Sequence, residues 1–104
     1  MRRPKEPKKY AGIDKDENGG MTDSGRIVRH AWIFELIPET ETCEGWLSAG
    51  LESLWQQVNV EWEKYGFLVA NLPPEIRGRF DRIEGEAVER AKAAGWDPSL
   101  DDDD

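Results

Sequence analysis

The side chains that could do chemistry are few, and they are scattered. His30 is the one histidine and Cys43 the one cysteine in 104 residues. A Ser–His–Asp catalyst would therefore rest on His30 alone, and an enzyme would need a carboxylate such as Glu35 or Glu39 folded against it. His30 stands among apolar residues, with no acid at helical spacing to orient it, so the plainer expectation is a packed or partly exposed histidine. Cys43 follows the acidic run PETET, and nearby negative charge disfavours the thiolate that nucleophilic work requires. With one cysteine there is no intramolecular disulfide and no cysteine-based zinc site within a chain. The expectation is a protein that is not an enzyme and needs no cofactor.

Two further stretches invite a ligand. Asp14-x-Asp16-x-Asn18-Gly19 resembles the first half of an EF-hand calcium loop, with Asp14, Asp16 and Asn18 at the first three side-chain positions. The twelfth position, where the bidentate glutamate belongs, is Gly25, and no amphipathic helix precedes the loop. A polar linker is the plainer reading, and no metal site is expected. Arg77-Gly78-Arg79-Phe80-Asp81-Arg82 offers three cations to a phosphate, yet acids within one turn (Asp81, Glu75, Glu86) read as i,i+4 partners on a solvated helix face. Gly78 and Gly85 sit seven apart on that face and each costs about 1 kcal/mol relative to alanine. A second backbone approaching closely there would explain them; tolerance at an exposed surface is the alternative.

The elements that must position these groups are legible from periodicity. Thr22, Asp23 and Ser24 offer N-cap oxygens ahead of 24–37, with Pro38 as the stop. Apolar residues cover two sides of that segment and partial alternation also fits a strand, so it is read as a helix with the strand kept open. The clearest pattern spans 44–65, where Leu47, Leu51, Leu54, Trp55, Val58, Trp62 and Tyr65 fall on one stripe. Gly66 and Phe67 fit a Schellman ending. Pro73-Pro74-Glu75 opens a helix over 74–94 with Ile76, Phe80, Ile83, Ala87, Ala91 and Ala94 inward, and Gly95-Trp96 repeats the ending. The expected fold is therefore all-α, a small three-helix domain over 21–98. Residues 1–20 read as a disordered basic and polar arm, and 99–104 as a disordered acidic tail. Met21 is a second candidate initiator; a product starting there would carry −10 on 84 residues.

Charge and tryptophan content bound the function. The net charge of −8 divides into +4 over residues 1–9, −7 over 10–96 and −5 over 97–104. An acidic body is repelled by nucleic acid and by anionic lipid, so direct nucleic-acid binding is not expected. No apolar run reaches the ~20 residues a bilayer crossing needs, and the default compartment is the cytoplasm. Of five tryptophans, Trp32, Trp55, Trp62 and Trp96 are explicable as core or cap packing. Trp46 and Val60 fall on the polar side of the long helix and, with Gly78 and Gly85, are the candidate partner-binding residues. Trp46 has packing under the first element as its alternative. The expected function is a small non-catalytic helical interaction protein: a regulatory, adaptor or accessory subunit that contacts a protein partner or a second copy of itself. The alternative is an acidic inhibitor that occupies a basic groove of a nucleic-acid-processing or defence complex.

Overall fold

The computed structural model describes residues 9–96. They form three helices, α1 (Asp23–Ile33), α2 (Ser48–Glu63) and α3 (Pro74–Ala93), with short 3-10 turns at Ile13–Lys15, Glu17–Gly20 and Val69–Asn71. This is the expected all-α domain, and the strand option for residues 24–37 is excluded. Helix α1 lies between the other two. It runs alongside α2, so that Ser24 neighbours Ser48 and His30 neighbours Trp62. Against α3 it runs in the opposite sense: Arg79 reaches Ile33 at the end of α1, while Ala91 lies under Gly19, ahead of its start.

All three helices end in the same hydrogen-bond pattern. In each, the residue after the left-handed position donates back five residues along the chain and the left-handed residue itself donates to the next carbonyl, which satisfies carbonyls the helix leaves unpaired. Gly66 (φ 64°) and Gly95 (φ 98°) occupy the left-handed position in α2 and α3, as their spacing predicted. Phe67 N–H donates to the Trp62 carbonyl at 3.0 Å and Trp96 N–H to Ala91 at 2.9 Å. In α1 the same position is Glu35, with φ 59°, and Leu36 N–H donates to Ala31 at 2.8 Å. The helix thus stops four residues before the expected end, and Pro38 is not what stops it.

Helix α2 also starts later than periodicity predicted. Cys43 and Gly45 both have positive φ, 64° and 83°, so the chain turns there. The backbone of 45–46 is engaged with the N-terminal segment: Tyr10 N–H donates to the Trp46 carbonyl and Gly45 N–H to the Tyr10 carbonyl, both at 2.8 Å. Backbone groups committed to that pairing cannot serve a helix, which begins only at Ser48.

The expected disorder of residues 1–20 needs correcting for 9–20. Ile13 is 4% exposed within the core, and its N–H donates to Thr42. Asp16 gathers the turn: one carboxylate oxygen accepts from the Tyr10 and Thr22 hydroxyls, the other from the Glu17 N–H at 2.7 Å. Thr22 in turn caps α1 by accepting from Gly25 N–H at 3.0 Å. Few apolar residues signal this segment, because polar bonds and backbone proximity hold it. A methyl group added at Gly19 would meet the backbone of Ala91 at 2.8 Å, and one at Gly25 the Gly20 carbonyl oxygen at 2.0 Å. Arg29 completes the join; it is 4% exposed and donates to the Gly20 carbonyl at 2.7 Å and to Glu84 of α3 at 2.8 Å. The basic residues Arg2–Lys8 and the acidic tail lie outside the described residues.

Candidate interaction face

Trp62 is the hub of an aromatic cluster that joins the helices. Its ring lies 5.2 Å from Phe34 and 6.2 Å from Phe80, edge to face in both cases. Phe34 in turn stacks on Tyr65. Edge-to-face contacts align the positive ring edge with the negative face of a neighbour and add to the burial of area. His30 belongs to this cluster, 5.7 Å from Trp62 and 6.2 Å from Phe80. The Trp62 indole N–H donates to His30 Nδ1 at 3.1 Å, so the neutral imidazole carries its proton on Nε2. Burial lowers the His30 pKa from 6.5 to about 4, with Arg29 and Arg26 acting the same way and Glu84 opposing.

The carboxylates that an enzymatic reading would bring to His30 are occupied elsewhere. Glu39 makes a two-pronged pair with Arg82, at 2.7 and 3.0 Å, which holds its carboxyl below the usual range. Glu35 lies 3.7 Å from Arg79. Among the described residues no hydrogen bond or ion pair links His30 to an acid. Cys43 is fully buried, and its thiol is pushed up to about 11 by burial first and by Glu41 second. Asp16 of the half-loop spends both oxygens on protein donors, and among the described residues no three His, Cys, Asp or Glu side chains gather as metal ligands.

The arginine-rich stretch divides. Arg77 pairs with Asp81 and Arg82 with Glu86, as i,i+4 spacing predicted. Arg79 instead donates to the Ile33 carbonyl at 2.8 Å, and Arg82 reaches Glu39. Both tie α3 to the end of α1, so they are fold contacts that sequence spacing could not reveal. Gly78 and Gly85 are exposed with open space around them, so among the described residues no neighbouring backbone approaches either one.

Trp46 is placed as its packing alternative has it, and Trp55 departs from its expected core position. Trp46 precedes α2, is half-buried against the core and lies over Gly50. Trp55, expected inside, is 47% exposed, and Leu47 from the same stripe is 43% exposed. Val60, Phe67 and Leu68 are more than half exposed. Trp55 stands at the rim of the stripe because α1 alone covers α2 there. Beside it a furrow runs between α1 and α2. One stretch, about 390 Å³, is lined by Ser24, Ile27, Ser48, Leu51, Glu52 and Trp55. The next, about 210 Å³, continues from Ile27 and Trp55 past Arg26, Val58 and Asn59 to Trp62. The lining of the furrow joins apolar Ile27, Leu51, Val58 and Trp62 to polar Ser24, Arg26, Ser48, Glu52 and Asn59. The chain matches no protein-family model, no curated protein and no solved structure.

Proposed function

We propose that this protein is a small non-catalytic interaction module that acts by protein–protein contact through the α1–α2 face centred on Trp55. The observation that carries the reading is the half-exposed Trp55 beside Ile27 and Leu51, in a furrow that no element of the described fold covers. A tryptophan left half in water forgoes about half of its burial free energy, and a contact that buries it recovers that term. Tryptophan is also the residue most enriched among those that dominate binding energy. The acidic-inhibitor alternative finds less support. Of Glu52, Glu61 and Glu63, Glu61 is already paired with Lys64 at 3.1 Å, and paired arginines are spread along α3.

Cross-linking in native extract followed by peptide mapping tests the reading, with the wild type compared against Trp55→Glu. The expected result is cross-links that flank α1 and α2 in the wild type and vanish in the variant. Cross-links confined to α3, or unchanged by the substitution, would contradict it.

A further inference from the structure

We infer that the α1–α2 furrow is self-complementary and that its occupant is a second copy of this chain, related by a two-fold axis passing near Trp55. The inference rests on the contact reading above and specifies the partner. Two charged residues line the furrow without forming an ion pair in the described fold: Glu52 on the α2 wall and Arg26 on the α1 wall. They lie on opposite sides of Trp55 along the furrow. Glu52 lines the stretch with Ser48 and Leu51, and Arg26 the stretch with Val58 and Asn59.

A patch with an apolar centre, an anion to one side and a cation to the other is complementary to itself after a half-turn. In a closed two-fold dimer, residue i meets residue j and j meets i. The Trp55 and Ile27 surfaces of the two copies then meet at the centre, and each Glu52 faces the Arg26 of the other copy, giving two equivalent ion pairs. A strongly acidic body would otherwise repel a second copy. The crossed pairs place attraction at the point of contact, where it sets register and orientation. An unrelated acidic or basic partner would satisfy one of these two charges and bury the other unpaired, which is costly.

Charge exchange tests this without disturbing the fold, because Arg26 and Glu52 are exposed and form no ion pair among the described residues. In Arg26→Glu both contacts become acid against acid, and in Glu52→Arg both become base against base. Each variant alone is expected to self-associate at least about tenfold more weakly than the wild type by sedimentation equilibrium. An equimolar mixture of the two restores both pairs and is expected to form a heterodimer within a few-fold of wild-type affinity. The chain carrying both substitutions is expected to homodimerise again. A wild type that stays monomeric, or a mixture that recovers no affinity, overturns the inference. A monomeric wild type whose cross-links to another protein still depend on Trp55 would sink self-association and leave the contact reading standing. Loss of both would remove the two together.

Discussion

Histidine 30 shows how a residue that could do chemistry is given a structural task. Its Nδ1 accepts from the Trp62 indole and its largely buried ring packs against Trp62 and Phe80, so the charged form is disfavoured. The folded pKa, about 4, lies below the unfolded value of 6.5. Between those values the unfolded chain binds a proton that the folded chain refuses. Stability is therefore unaffected by this group above pH 6.5 and falls as the pH drops towards 4, with a total cost of about 3 kcal/mol. As the only histidine, its imidazole signals in a proton NMR titration are unambiguous. A midpoint near 4 is expected, and one near 6.5 would contradict the burial. The two tryptophans of α2 should also separate. Trp62→Ala is expected to lose about 3–5 kcal/mol of stability by urea unfolding. Trp55→Glu is expected to lose about 1–1.5 kcal/mol, since only about half of the side chain is buried in the fold.

At the scale of elements, the existence and order of the helices were readable from spacing, while their limits were set by contacts from elsewhere in the chain. Gly66 and Gly95 announce the ends of α2 and α3 because a left-handed residue is needed there and glycine accepts it freely. Glu35 does the same for α1 without any such sign. The start of α2 is set by the pairing of Trp46 and Gly45 with Tyr10, a long-range contact invisible to periodicity. Among the described residues Gly78 and Gly85 stand in the open, as the exposed-surface alternative has it, whereas Gly19 and Gly25 are positions where backbones nearly touch. Gly25→Ala should therefore unfold the start of α1 and lower the melting temperature markedly. Gly78→Ala and Gly85→Ala should each add about 0.5–1 kcal/mol. Melting curves of the three variants check both signs. Glu84→Ala leaves the Arg29 guanidinium buried without its carboxylate and is expected to cost about 3 kcal/mol.

The whole molecule is a domain whose third helix is fastened by polar contacts as much as by its apolar stripe. Arg29–Glu84, Arg79–Ile33 and Arg82–Glu39 join α3 to α1 and its connector, and Gly19 seats the N-terminal turn on Ala91. Composition described residues 9–20 as a linker because polar bonding leaves no hydrophobic period, yet Ile13 and Asp16 make that segment part of the body. A chain beginning at Met21 would lose Ile13, the Asp16 bonds and the Gly20 carbonyl that Arg29 holds. Denaturant unfolding should show it less stable by on the order of 3–5 kcal/mol. The exposed α1–α2 face proposed for contact was the least legible feature, since a stripe on a helical wheel does not say how much of itself a neighbour covers. Leu51, Leu54, Val58 and Trp62 are covered by the fold, and Trp55 at the rim is not. The most direct test of that face is sedimentation velocity over a concentration series, comparing the wild type with Trp55→Glu. A wild type that moves from monomer to dimer with rising concentration, beside a variant that stays monomeric, is the predicted result. Identical profiles for the two proteins would contradict self-association through that face.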